Sequence, residues 1–282
     1  MRIEHQFSIA GFEVSVSFPD GWDADTLLPS FRPFYGKKEG QEKALLKCTV
    51  CTSVENKAAM PSGELIENTL SDMGYVSLYK EAEGYCVTLS AEQGGTLHVM
   101  QTDRRFSTVR VYLHEEDKRA GHALSSLLRI AYSQAVLYWD AVSIHASAVY
   151  CENKAFLFMG KSGTGKSTHS SLWMKYIQGT ELLNDDNPTL RIVDGKVYAY
   201  GTPWSGKTPC YKSLSYPVGG MVRLKQAPAN RFVRQQEIEA FIALFPGCCV
   251  IHQDAELRAC LYDTLIRMVE QVPVGVLECR PD

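Results

Sequence analysis

Several things are scarce in this chain of 282 residues, and each scarcity removes a class of function. Positive charge is not in excess: 29 Lys and Arg stand against 32 Asp and Glu, a formal net charge of −3. Neither nucleic acid nor an anionic membrane surface is therefore expected as a partner. No uninterrupted apolar run approaches the length needed to span a bilayer, and MRIEHQFSIAG at the start has no basic stretch leading into an apolar one. The expectation is a cytoplasmic protein. No repeat of fixed period and no low-complexity tract is present. Cysteine is not scarce, but cysteine in a pattern is. Cys48 and Cys51 form the one CxxC, inside the alternating LLKCTVCTSV, where residues three apart on a strand face opposite sides. No second CxxC or nearby His completes a zinc set, and the odd total of nine argues against a fully paired framework. Reduced, mostly buried thiols are expected.

What is present concentrates between Ala155 and Asp186. AFLFM is a continuous apolar run, as for a strand buried on both faces of a parallel sheet. It enters Gly160-Lys161-Ser162-Gly163-Thr164-Gly165-Lys166-Ser167, followed by Thr168, a full match to GxxxxGK[ST]. In that pattern the glycines let backbone N–H groups converge on phosphate oxygens at the positive end of the next helix. Lys166 would reach the β and γ phosphates of ATP, and the Ser167 hydroxyl would ligate Mg²⁺. Helical spacing follows, with Leu172, Trp173 and Tyr176 as its apolar face, until Gly179. Glu181 to Asn184 reads as a short strand that ends in Asp185 and Asp186. At that sheet end one carboxylate could hold Mg²⁺ and the other could accept a proton from a hydroxyl.

A second GxxxxGK[ST] match, Gly201 to Thr208, lacks this context. Pro203 has no N–H, Trp204 is bulky, and no helical periodicity follows. It reads as a loop whose Ser205, Lys207 and Thr208 either face the acceptor or the γ phosphate, or are simply exposed.

Residues 1 to about 117 read as a β-rich domain, with LIENTLSDM from Leu65 as its one helix. The charged run His114 to Arg119 marks the boundary, and residues 118–282 form the second domain, opening on a helix from Ala120 to about Tyr138. VSIHASAVY, from Val142, reads as one strand, which would place Ser143, His145 and Ser147 on a common face. Pro188 to Tyr200 reads as a hairpin turning at Asp194-Gly195. YPVGGMVRLK is a further strand, on which Arg223 is either buried beside an anionic ligand or, the favoured reading, an ordinary surface cation. Helices over Gln235 to Leu244 and Asp254 to Val272 and a closing strand VPVGVLEC complete an α/β (α+β overall) fold.

The loop, the Asp pair and His145 together resemble the HPr kinase/phosphorylase and ATP-dependent phosphoenolpyruvate carboxykinase superfamily. IHASAV is similar to the carboxykinase MHCSA stretch and the HPr kinase IHG stretch. GKSGTGKST is similar to GLSGTGKTT, and LLNDDNPTL to ADDNVEI. The resemblance covers about residues 120 to 282 and implies a phosphoryl-transfer core with a P-loop. In that core His145 lies near the phosphates or a second divalent metal, and Asp185 and Asp186 divide metal binding and base duty. It implies an ATP-dependent kinase acting on a hydroxyl, such as a serine, of a protein, peptide or small molecule. A nucleotide-dependent binding protein without transfer, or a carboxykinase-like enzyme, are the alternatives. The HPr kinase signature expected after the hairpin is replaced by YGTPWSGKTP, so the acceptor is left open; a homo-oligomer is compatible with all these readings.

Overall fold

The computed structural model describes residues 2–36, 44–52 and 60–280. The chain divides into two compact units, Met1–Ala135 and Val136–Asp282.

The first unit is built on one eight-stranded sheet. Its strands are β1 (Arg2–Ile9), β2 (Phe12–Pro19), β3 (Leu46–Thr52), β4 (Glu64–Ser71), β5 (Gly74–Lys80), β6 (Gly84–Ser90), β7 (His98–Asp103) and β8 (Thr108–Leu113). The order is β1-β2-β3-β8-β7-β6-β5-β4, with β2, β3 and β8 mutually parallel and the remaining pairs antiparallel. A short helix α1 (Ala24–Leu27) is capped by the Asp23 carboxylate, which accepts the Asp25 N–H. Helix α2 (Ala120–Ala135) belongs to this unit and does not open the second one: Leu124, Leu127, Leu128 and Ala131 are buried, and the helix lies against β3, β6, β7 and β8. An apolar stripe at helical spacing specifies only that a face must be covered.

The segment expected to be a helix, LIENTLSDM, is the edge strand β4. Its leucines are left outside, Leu65 at 49% and Leu70 at 66% exposure, so no helical face had a core to meet, and pairing with β5 decided the conformation. None of the nine cysteines forms a disulfide, and burial pushes the Cys86 thiol up to about 12.

The second unit contains β9 (Ala141–Ser143), β10 (Ala146–Cys151), β11 (Lys154–Met159), α3 (Lys166–Tyr176), β12 (Glu181–Asp186), β13 (Thr189–Val193), β14 (Lys196–Tyr200), β15 (Ser215–Gln226), β16 (Arg231–Gln235), α4 (Glu237–Leu244), α5 (Ala255–Val269) and β17 (Val274–Cys279). The path is β12-β10-β11-β15-β14-β13-β9, and β17 branches from it, pairing with β15 and β16. Strand β11 has a parallel neighbour, β15, and an antiparallel one, β10, so the sheet around the glycine loop is mixed and not parallel throughout. The β13–β14 hairpin turns at Asp194 and Gly195, both at positive φ (47° and 70°), as its sequence requires. Helix α5 is N-capped by Asp254, whose carboxylate accepts the Leu257 N–H at 2.8 Å.

Two expectations fail in instructive ways. VSIHASAVY is not one strand: β9 pairs with β13, whereas β10 pairs with β11 and β12, and the chain breaks at Ile144-His145 to change partners. The freed N–H groups are satisfied elsewhere, Ile144 donating to the Pro188 carbonyl at 3.1 Å and His145 to that of Gly247 at 2.7 Å. On α3, only Trp173 of the expected apolar face packs, against Phe156 and Phe158, while Leu172 and Tyr176 are exposed.

Candidate active site

Register brings the candidate residues together. Ala146, the first residue of β10, is opposite Met159 on one side and Asp186 on the other. Three chain positions therefore meet at one level: the exit of β11 into the glycine loop, the end of β12 with its two carboxylates, and His145 just before β10.

The loop needs its glycines for two different reasons. Gly160 has φ +151°, and a Cβ there would lie 2.5 Å from Thr164 Oγ1. Gly163 (φ +81°) and Gly165 (φ +97°) also sit in left-handed backbone, yet a Cβ on either would meet nothing within 4 Å. The ground beside these two is open, and a side chain would fill it. Thr164 closes the turn by donating from Oγ1 to the Lys161 carbonyl at 2.8 Å. Lys166 begins α3, and its Nζ donates to the carbonyls of Gly160 (3.1 Å) and Lys161 (3.4 Å). Burial lowers the Lys166 pKa from its ordinary range, and the carboxylates of Asp186 and Asp185 pull it partly back. Ser162 and Thr168 are exposed.

The two carboxylates have different partners. The Ser167 hydroxyl donates to Asp185, at 2.9 Å from Oδ1 and 3.2 Å from Oδ2. Asp186 instead lies with Oδ1 2.9 Å from His145 Nδ1; the imidazole is 43% exposed and the carboxylate 13%. Asp186 is also strained, with φ +154°, a conformation that costs a non-glycine residue on the order of 1–3 kcal/mol.

The second GxxxxGK[ST] segment has no helix after it, as expected, and straps the Asp pair in place. The Gly206 N–H donates to the Asp185 carbonyl, Ser205 bridges Asp186, and the Ser205 hydroxyl donates to the Thr208 carbonyl at 2.6 Å. Beneath it Asn184, fully buried, donates from Nδ2 to the carbonyls of Thr202 (3.3 Å) and Trp204 (3.0 Å), and its Oδ1 accepts the Asn187 N–H at 2.9 Å. Sequence reasoning did not single out Asn184 or Thr202; the signal was a polar residue in a strand otherwise bound for the interior. Trp204 is bulky because it is a plug, 5% exposed. Lys207 and Thr208 are exposed.

Arg223, read as a surface cation, is half-buried: it is paired in register with Met159 and donates to the Ala243 carbonyl at 3.0 Å. With Lys161, Thr164, Gln226 and Val276 it lines a cavity of about 480 Å³ beside the loop.

No family model matches this chain. No curated protein matches it either. Among solved structures it is similar to the HPr(Ser) kinase/phosphatase from Coxiella burnetii, at 12% identity over 49% of this chain and 85% of that one, with a TM-score of 0.29. That likeness is distant, and the site stands on its own geometry. The second unit presents a glycine loop, a lysine, a hydroxyl joined to one carboxylate and an imidazole joined to the other. Such a set can hold an anion at the loop, a hard cation at Ser167 and Asp185, and a proton at Asp186.

Proposed function

We propose that the chain is an ATP-dependent phosphotransferase acting on a hydroxyl, its second unit being a P-loop kinase domain of the HPr kinase and carboxykinase type. The observation that carries this reading is the division of the two carboxylates, Asp185 to Ser167 and Asp186 to His145, at the mouth of the glycine loop.

The residues suit a nucleotide with Mg²⁺. Open space beside Gly163 and Gly165 leaves the loop backbone approachable by phosphate oxygens. Ser167 and Asp185 are hard oxygen donors, and Mg²⁺ is commonly content with one or two protein oxygens beside phosphate and water. When bound, the nucleotide supplies the phosphoryl group and the metal spreads its charge. Lys166, held over the loop by the Gly160 and Lys161 carbonyls with two carboxylates nearby, is placed to neutralise phosphate. Asp186 accepts the proton of the acceptor hydroxyl at its carboxylate, and the hydrogen bond with His145 Nδ1 fixes that carboxylate's orientation. The serine of a protein or peptide, or a small-molecule hydroxyl, fits this chemistry equally.

The test is nucleotide-induced stabilisation followed by turnover. At about 100 times Kd, Mg²⁺-ATP should add about 2.7 kcal/mol, a shift of a few degrees in Tm that Lys166→Ala removes. Asp185→Asn should lose the Mg²⁺ dependence of that shift. Asp186→Asn should keep the shift and lose ADP formation in the presence of hydroxyl acceptors. Nucleotide binding with no transfer to any acceptor would replace the kinase reading with that of a nucleotide-dependent binding protein.

A further inference from the structure

In the second unit, α4 and α5 leave an apolar groove uncovered. It is lined by Ile238 and Phe241 from α4 and by Tyr262, Ile266 and Val269 from α5, and encloses about 500 Å³. Ile238 is 64% and Ile266 49% exposed. Phe241 and Tyr262 meet edge to face at 5.5 Å within it. Scattered apolar side chains on a surface need no explanation, but a contiguous lined groove does.

Charge indicates what belongs there. Glu237 and Glu270 line the groove, and neither has an ion-pair partner among the described residues. The two helices run antiparallel, Phe241 meeting Tyr262 while Glu237 is grouped with Glu270, so both carboxylates stand at one end. The nearby cations of α5 are engaged internally: Arg267 bonds Asp140, and Arg258 bonds the His252 carbonyl. Among the described residues the groove lining holds no Lys or Arg, so a second copy joined face to face would offer the acidic end only a lining of the same kind, which weighs against self-association.

We propose that this groove docks an amphipathic segment of a partner protein, an apolar stripe with Lys or Arg beside it that meets Glu237 and Glu270. An eight-residue helix such as α4 is about 12 Å long, so the groove takes about two turns of a partner helix, anchored through side chains at i, i+4 and i+7. This surface shares no residue with the glycine loop or the Asp pair, and its occupancy requires no nucleotide.

The experiment uses the full chain and two labelled synthetic amphipathic helices with the same leucine stripe, one flanked by lysines and one by glutamates, followed by fluorescence anisotropy. The lysine peptide should bind at least about tenfold more tightly than the glutamate peptide, with the gap closing as salt rises. Ile238→Glu and Ile266→Glu, both at exposed positions, should each weaken it by about tenfold or more. The double variant Glu237→Lys/Glu270→Lys should reverse the preference. Absence of lysine-peptide binding, equal binding of both peptides, or binding indifferent to these substitutions would overturn the proposal. So would a concentration-dependent dimer that Ile266→Glu dissolves, which would assign the face to a second copy.

Discussion

Asp186 combines two roles that pull apart at the level of one residue. Its side chain is needed beside His145, yet its φ of +154° suits glycine. Asp186→Gly should therefore be more stable than Asp186→Ala by roughly 1–3 kcal/mol in chemical denaturation, the reverse of the usual order, while both lose transfer. Equal stabilities would remove the strain argument. In the first unit, His98 is 1% exposed, with Nε2 2.9 Å from Asp117 Oδ2 and Nδ1 accepting the His114 N–H at 3.4 Å. Burial lowers its pKa from the usual 6.5, and Asp117 offsets that only in part. Asp117 itself is held low first by the Arg119 N–H and only then by His98, so a neutral His98 bonded to an ionised Asp117 satisfies both. The folded state thus binds its proton less readily than the unfolded chain. Its contribution is complete above pH 6.5 and is lost as pH falls through the lowered folded value. Tm should decline on acidification below 6.5, and His98→Gln should flatten that part of the profile.

Elements explain which parts of the site were legible. The glycine loop and the Asp pair could be read because strand, turn and helix signals lie within one contiguous stretch, each reinforcing the next. His145 was named from its sequence neighbours, but its place depends on a strand that breaks to exchange partners, and the alternation of VSIHASAVY gives no sign of that break. The strap at 201–208 was visible as a motif without a helix; its purpose came only with Asn184 and Trp204 beneath it. LIENTLSDM misled because β4 buries neither face, and a strand without a buried face shows no alternation. The strap's importance is measurable: Trp204→Ala should cost about 3–5 kcal/mol, read as a lower denaturation midpoint, and should reduce nucleotide-induced stabilisation without touching the loop.

At the scale of the whole molecule, the chain is a mixed α/β protein in which sheet predominates, as its short alternating runs indicated. The placement of α2 was not legible, because its stripe would serve a sheet in either unit and only tertiary packing chose. No helix among the described residues is long and apolar enough to cross a membrane. A different kind of constraint follows from the turn at Glu152-Asn153, whose two residues have φ of 49° and 59° and join β10 to β11. The site is held by a count of residues as much as by their kinds. One residue more in that turn would slip Ala146 off Met159, turn β10 over, and carry His145 away from Asp186, although no residue had been replaced. Asn153→Gly should be tolerated and still respond to Mg²⁺-ATP, whereas a single glycine inserted after Asn153 should leave circular dichroism near native and abolish the response. Variation in length, far more than variation in letters, is what this turn can be expected to refuse.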